Sequence, residues 1–149
     1  HYASLILDNQ IVPIIEGRAE FGPRALGNRS LLCLPNDKNI EKLNKIKGRE
    51  TDSWRPYAPV IRKEDADNYF YLTKNCPYML FTGTIKNGEF KTHNNTARVQ
   101  VVSQTSNIFL WRILTLTSKW GFPLLINTSL NAKVKPIVNT LEDLRELDL

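Results

Sequence analysis

The chain of 149 residues is poor in sulfur, with two cysteines and one methionine. Cys33 and Cys76 are too few for a disulfide framework and stand in no metal-binding spacing, which excludes the disulfide-rich and zinc-finger classes. No apolar run approaches the ~20 residues that cross a bilayer, and no signal-peptide pattern opens the chain. Two unpartnered thiols indicate buried side chains in a reducing compartment, so we expect a cytoplasmic protein without a membrane partner.

The usual catalytic groups are also missing. The sequence offers no Ser/His/Asp set, no cysteine in a basic setting, no paired carboxylates and no cluster of metal ligands. It does offer arginines, a lysine, hydroxyls and amides. Such groups position substrates and stabilise developing negative charge, as nucleotidyl transfer requires.

Positive charge is concentrated in one third of the chain. The formal net charge is +5, and residues 18–63 hold eleven Lys or Arg against five acidic residues. A nucleic-acid-binding protein has a similar excess, and so does a protein with one focused anion pocket. The charge alone leaves both classes open.

The densest motif is GRAEFGPRALGNRS, residues 17–30, with three arginines and three glycines. A guanidinium grips phosphate or carboxylate with two parallel hydrogen bonds, and glycine lets the backbone approach an anion. Arg24, Asn28 and Arg29 are therefore candidate ligand-binding residues. Pro23 suits the first position of a very short helix, whose N–H groups would add to the attraction. The alternative is an ordinary basic surface loop.

Lys47 and Arg49 form a second basic motif, just past a predicted helix. A lysine supplies a point charge and an arginine a fork, so the pair can neutralise two anions that must meet. The alternative is a basic helix C-terminus that the macrodipole favours.

Three further segments supply polar candidates. Arg55 lies in the extended run WRPYAP, where Trp54 can orient it by stacking. Arg98 heads a predicted strand. Ser129 and Asn131 follow a buried strand directly, the place where ligands bind in open α/β sheets. We expect Arg24, Arg55 and Arg98 to converge with Ser129 and Asn131 on one cavity.

Periodicity and turn residues predict a single α+β (mixed α/β) domain over residues 1–149, with helices packed on a mixed sheet. The predicted strands are Ile11–Glu16, Ser30–Leu34, Tyr57–Ile61, Tyr78–Thr84, Ala97–Val102 and Leu124–Asn127. The predicted helices are a helix from a cap at Asp37 to Gly48, Glu64–Tyr71, Asn107–Trp120 and a terminal helix capped by Thr140. Asn87-Gly88 is a turn signal.

The ordered motifs GRAEFGPRALGNRS, KGRETDSWRPYAPV, NTARVQ and NTSLNAKVKPIVNT resemble the C-terminal region of the NodU-type carbamoyltransferases. The resemblance implies a YrdC-like twisted mixed sheet, and a site that joins ATP and carbamoyl phosphate into carbamoyl-adenylate. In that reading Lys47, Arg49 and Arg98 are catalytic, and Mg²⁺ would accompany ATP without a protein metal site.

The same resemblance implies a missing N-terminal, actin-like half that passes the carbamoyl group to a sugar, Nod-factor or antibiotic-type hydroxyl. A first residue of His1 instead of Met fits a domain cut from a longer enzyme. Two other classes stay open. One is an RNA-binding or tRNA-modifying module of the threonylcarbamoyl-adenylate synthase type, although nucleic acid is the less favoured partner. The other is a non-catalytic domain whose arginines pair with acids of the missing half.

Overall fold

The structure is a computed structural model that describes residues 1–51, 55–86, 90, 95–133 and 135–147. Its helices are α1 (Tyr2–Leu7), α2 (Asp37–Lys47), α3 (Lys63–Tyr69), α4 (Ile108–Ser118) and α5 (Leu141–Arg145). Its strands are β1 (Val12–Ile15), β2 (Arg29–Cys33), β3 (Ala58–Arg62), β4 (Phe70–Tyr71), β5 (Gly83–Ile85), β6 (Thr96–Ala97), β7 (Gln100–Val102) and β8 (Leu124–Ser129).

The strands form two sheets. A five-stranded sheet has the order β1-β2-β8-β3-β7, and a three-stranded sheet has the order β4-β5-β6. In the large sheet β3 and β7 are parallel, and the other neighbours are antiparallel. The predicted mixed α+β architecture is therefore confirmed.

The large sheet separates two hydrophobic cores because successive side chains of a strand point to opposite faces. In β8, Leu124 and Ile126 pack into one core with Leu43 of α2 and Phe70 of the small sheet. Leu125 packs into the other core, with side chains of α1 and α4. The sheet is thus the middle layer of the domain, and both of its faces are covered.

Helix ends agree with most sequence signals. Gly48 ends α2 in the left-handed conformation, at φ 56°. Asn107 caps α4, and Thr140 caps α5 in a capping box with Asp143. The cap of α2, however, is Asn36 and not Asp37, since its side chain accepts a hydrogen bond from the Asn39 N–H. Helix α1 was not predicted.

Two predicted elements are wrong in extent. The helix expected to reach Tyr71 ends at Tyr69, and the chain enters β4 directly. The strand expected from Tyr78 is a turn as far as Met79, whose φ is 54°, and only Gly83–Ile85 is a strand. The Asn87-Gly88 turn lies outside the described residues.

The strand expected over residues 97–102 is two strands. Thr96–Ala97 pairs in the small sheet, and Gln100–Val102 pairs in the large one. The chain changes sheet between them, and a period-2 pattern does not reveal which neighbour each half pairs with. Arg98 therefore lies on the link between the two sheets.

Helices long and apolar enough to cross a membrane are absent from the ranges that the structure describes.

Candidate functional site: an arginine-lined cavity at the end of the large sheet

A cavity of about 290 Å³ opens where β8 ends and β3 begins. Four arginines contribute to its wall: Arg24, Arg49, Arg55 and Arg98. The remaining wall is made by Pro56, Tyr57, Ala58, Met79, Asn127, Thr128 and Ser129. No carboxylate belongs to this lining as far as the described residues extend, so the cavity is strongly positive.

The structure thus brings together four of the five residues expected to converge. Arg24, Arg55, Arg98 and Ser129 line the cavity, whereas Asn131 lies outside the lining. Trp54, the expected stacking partner of Arg55, lies outside the described residues. Like charges gathered in one wall repel one another, and a bound anion removes that repulsion.

The pKa of Arg24 is affected by the positive charge of the cavity wall. Burial, followed by the positive charge of Arg98, lowers the pKa of the Arg24 guanidinium. The side chain of Arg24 remains largely exposed. It is therefore a cation that is held beside another cation at an open site, a suitable arrangement for a phosphate that bridges the two.

Arg49 is held against Tyr57. Its guanidinium carbon lies 5.5 Å from the centre of the Tyr57 ring. The Tyr57 hydroxyl donates a 2.8 Å hydrogen bond to Asn44 Oδ1 in helix α2. Burial raises the pKa of Tyr57 to about 12 against the opposing effect of Arg49. Tyr57 therefore stays neutral and serves as a platform that orients the Arg49 fork.

The Lys47 side chain reaches Ser129 and Asn131 at the end of β8, and Lys47 does not line the arginine cavity. Its Nζ donates to the Ser129 carbonyl, to the Asn131 carbonyl at 2.9 Å and to Asn131 Oδ1 at 2.7 Å. The Ser129 hydroxyl, 3.5 Å from the same nitrogen, donates to Asn131 Oδ1 at 2.6 Å. An ammonium has three hydrogens, so these three oxygens occupy all of them. Lys47 thus fixes the turn at the end of β8.

Lys47 as a residue is 5% exposed. Burial, followed by the charge of Arg49, lowers its pKa to about 7. The three oxygen acceptors stabilise the charged form, while burial and Arg49 oppose it. These opposing effects make the charge of Lys47 sensitive to pH near neutrality.

The 17–30 loop is organised by an acid that the sequence analysis did not single out. Glu20 Oε1 accepts backbone N–H groups from Leu26 and Asn28 at 2.7 Å, and from Arg29 at 3.3 Å. The short helix expected at Pro23 does not form. The loop N–H groups expected to attract a ligand anion are therefore partly used by an internal carboxylate.

Arg29 and Asn28 serve this loop too. Arg29 is buried, and its guanidinium donates to the carbonyls of Glu16, Gly17 and Asn28. The Asn28 side chain donates to the Arg18 carbonyl at 2.7 Å. Neither side chain lines the arginine cavity. Their contacts are those of residues that shape the loop, and a direct ligand contact for either stays a prediction.

Buried amides attach the loop to the large sheet. Asn127 Nδ2 donates to the Ala25 carbonyl at 3.2 Å and to Gln100 Oε1 at 2.6 Å. Gln100 Nε2 and Asn107 Nδ2 both donate to the Leu26 carbonyl, at 2.9 and 3.2 Å. These contacts hold Arg24 at the mouth of the cavity from β7, β8 and the start of α4.

Some of these residues could have been found in the sequence. Gln100 lies inside the predicted strand Ala97–Val102, and Asn127 ends the predicted strand Leu124–Asn127. An unpaired polar side chain in a buried strand is costly and therefore informative. Glu20, in contrast, carried no signal, because an acid inside a basic motif reads as a charge partner and not as a loop anchor.

Fold and cavity together define an α+β domain with an arginine-lined cavity at one end of a mixed sheet. A family model described as the carbamoyltransferase C-terminus matches residues 3–148. The chain therefore belongs to the family of carbamoyltransferase C-terminal regions, as its motifs predict.

Named relatives are consistent with this family membership. The nodulation protein NolNO of Sinorhizobium fredii is 37% identical over 152 residues, which are 95% of this chain and 22% of the relative. The 3'-hydroxymethylcephem-O-carbamoyltransferase of Streptomyces clavuligerus is 37% identical over 148 residues, which are 95% of this chain and 28% of that enzyme. The chain thus spans about a quarter of the length of these relatives.

A solved structure shares the fold. Full-length HypF, crystallised in a phosphate- and nucleotide-bound form, superposes with a TM-score of 0.66 at 17% identity. The match covers 98% of this chain and 19% of HypF. At this identity the likeness is one of fold alone.

Proposed function

We propose that this domain binds ATP and carbamoyl phosphate in the arginine-lined cavity and joins the carbamoyl group to AMP. The observation that carries the proposal is the convergence of four arginines on one cavity whose described lining has no carboxylate. Two polyanions can occupy one site only if their charge is neutralised there. The volume of about 290 Å³ is sufficient for carbamoyl phosphate or for the phosphates of ATP.

The chemistry balances with water as co-reactant. Carbamoyl phosphate and water give carbamate and inorganic phosphate. A carbamate oxygen then attacks the α-phosphorus of ATP, the bond from that phosphorus to the bridging oxygen breaks, and pyrophosphate leaves. The attacking oxygen is already anionic and needs no general base, in agreement with a cavity that offers donors and not bases.

Each residue has a role in this scheme. All four arginines bind phosphoryl oxygens. Arg24 does so from the 17–30 loop and Arg98 from the link between the two sheets, while Arg49 follows α2 and Arg55 precedes β3. Lys47 keeps Ser129 and Asn131 in position at the strand end. Mg²⁺ would enter on ATP and be held by its phosphates, because clusters of three metal-ligating side chains are absent from the described parts of the chain.

The names of two relatives support a proposal for the larger reaction. One is named a nodulation protein and another a 3'-hydroxymethylcephem-O-carbamoyltransferase. We therefore propose that the activated carbamoyl group passes to the hydroxyl of a sugar, Nod-factor or antibiotic-type acceptor. The acceptor site would lie in another part of the polypeptide, such as an N-terminal, actin-like region, because this domain matches about a quarter of each relative.

Calorimetric titration tests the binding step. The folded chain should bind ATP and carbamoyl phosphate, with affinities that fall as salt rises. Absence of binding of either compound at millimolar concentration would overturn the proposal. If the chain instead binds tRNA with an affinity that falls steeply as salt rises, and does not bind nucleotide, the RNA-modification class is favoured.

Pyrophosphate release tests the chemical step in the longest polypeptide that contains this domain. Arg49→Ala should lower carbamoyl-adenylate formation at least tenfold, since a hydrogen bond to a charged group contributes ~1.5–3 kcal/mol. Lys47→Ala should have an effect of similar size through the displaced turn. Lys45→Ala is the matched control, because Lys45 pairs with Glu41 on the solvent side of the same helix. Full activity in the Arg49 variant would exclude that residue from the site.

A further inference from the structure

One buried oxygen in the wall of the arginine cavity has no hydrogen-bond donor. Asn127 is 1% exposed and contributes to the lining. Its Oδ1 atom is buried, and none of the described residues donates to it. An unsatisfied buried acceptor is destabilising, because it has lost its hydrogen bonds to water and gained none in the protein. Glu20 Oε2 and Asn39 Oδ1 are likewise buried without a donor among the described residues, but neither residue lines the arginine cavity. A buried unsatisfied group calls for an explanation, and a functional contact is one of the recognised ones.

The orientation of this amide follows from its neighbours. Ala25 and Leu26 present carbonyl oxygens, which accept hydrogen bonds only. The atoms facing them must therefore be Asn127 Nδ2 and Gln100 Nε2, at 3.2 and 2.9 Å. Gln100 then presents Oε1 to Asn127 Nδ2 at 2.6 Å. Both amide hydrogens of Asn127 are thus assigned, and exchanging its O and N atoms would break both contacts.

The proposed substrates differ in what they can give to this oxygen. Phosphates and carboxylates are acceptors, and their anionic oxygens need the arginines. A carbamoyl group carries an –NH₂, which is a hydrogen-bond donor without charge. The Asn127 oxygen and the arginines thus have complementary preferences for the two ends of carbamoyl phosphate.

We infer that Asn127 Oδ1 accepts a hydrogen bond from the carbamoyl –NH₂ and makes the site specific for carbamoyl over other acyl phosphates. The inference rests on the proposed function. Because Asn127 is part of the cavity wall, a ligand held by the arginines lies on the side from which its –NH₂ can approach this amide. The two donated hydrogen bonds of Asn127 fix the amide beforehand, so that its orientation need not be paid for on binding.

Acetyl phosphate is the sharpest probe of this contact. It has the charge of carbamoyl phosphate and nearly its shape, but it carries a methyl group in place of the –NH₂. A site built to hydrogen-bond an N–H rejects the analogue that lacks it, since its polar group is then buried unpaired. We expect the wild-type chain to bind carbamoyl phosphate at least tenfold more tightly than acetyl phosphate.

Two variants separate recognition from support of the loop. Asn127→Leu, nearly isosteric, should reduce the preference to about onefold. Asn107→Ser removes a side-chain amide that donates to the Leu26 carbonyl of the same loop, keeps a hydroxyl that can cap α4, and leaves both hydrogen bonds of Asn127 intact. It should weaken both ligands by similar factors and preserve the preference. Circular dichroism establishes that each variant is folded.

A measurement on the wild-type chain needs no variant. With asparagine labelled with ¹³C at Cγ, carbamoyl phosphate should shift the Asn127 signal in the direction of a stronger accepted hydrogen bond, and acetyl phosphate should not. Equal wild-type affinity for the two compounds, a preference retained in Asn127→Leu, or identical Asn127 shifts would each overturn the inference and leave the anion site intact. Failure of both compounds to bind would instead remove the proposed function itself.

Discussion

Arg24 and Arg98 come from distant parts of the chain and line the same cavity, where the charge of Arg98 adds to burial in lowering the pKa of Arg24. Two cations held together in this way store repulsion in the unliganded protein. That repulsion becomes attraction for any anion placed between them. The pair therefore exchanges some stability of the free protein for affinity.

Arg98→Gln tests this exchange. Phosphate affinity should fall at least tenfold, while the stability of the unliganded protein should be unchanged or higher because a like charge is removed. Thermal unfolding with and without phosphate measures both effects. Arg112→Gln, an exposed arginine of α4 outside the cavity, is the control and should change neither. A loss of unliganded stability in Arg98→Gln alone would assign Arg98 a structural role.

The lowered pKa of Lys47 predicts a pH dependence of stability. The pKa of Lys47 in the folded protein is about 7, below its ordinary value of 10.5, so the unfolded chain binds more protons between these two pH values. Stability therefore rises with pH across that interval. Relative to Lys47→Met, the wild-type protein should gain stability from pH 7 toward pH 10, and urea unfolding at a series of pH values measures the difference. A constant difference would mean that Lys47 stays fully charged in the folded protein.

Glu20 should be as important to the loop as its arginines. Glu20→Ala leaves three backbone N–H groups without their acceptor. We expect a loss of about 1.5–3 kcal/mol in the free energy of unfolding, the range for hydrogen bonds to a charged group, together with weaker phosphate binding. Glu16→Ala removes an exposed acid of the same segment and should have little effect. Equal unfolding midpoints for the two variants would contradict the anchoring role.

Gly27 and Gly22 form a natural pair for testing how the loop packs. Both have positive φ, at 115° and 127°. A Cβ at Gly27 would lie 2.5 Å from Leu110 Cδ1, whereas a Cβ at Gly22 would meet nothing within 4 Å. Alanine at either position carries backbone strain, but only Gly27→Ala should also displace the loop from α4. Its destabilisation should exceed that of Gly22→Ala by ~1–3 kcal/mol, the cost of overpacking.

Much of the fold could be predicted because its signals are local. The αL end of α2 at Gly48, the caps of α4 and α5 and the buried strand at Leu124 each depend on residues close together in the chain. The exchange of sheets around Arg98 could not be predicted, because strand partners are chosen by distant segments.

The site, too, could be predicted where residue type decides and could not be predicted where tertiary packing decides. Residue type identified Arg24, Arg49, Arg55 and Arg98 as anion-binding candidates, and the structure places all four on one cavity. Sequence reasoning put Lys47 in the same class, but its reach to the Ser129 carbonyl depends on how α2 packs beside β8. Charge can be read along a chain, whereas the direction in which a side chain points depends on tertiary packing.

The position of the cavity at the end of the middle layer has a thermodynamic consequence. The 17–30 loop accepts a hydrogen bond from Asn127 of β8. Leu125, two residues earlier in the same strand, belongs to the core that packs against α1 and α4. Tyr57 of the cavity wall belongs to the opposite core, with Leu43 of α2. An anion bridging the two sides therefore adds a connection between these layers, beside the sheet itself and the 3.0 Å hydrogen bond that Trp111 of α4 donates to Glu64 of α3. Ligand should slow hydrogen exchange in α2 and α4 together, so that both helices open as one cooperative unit.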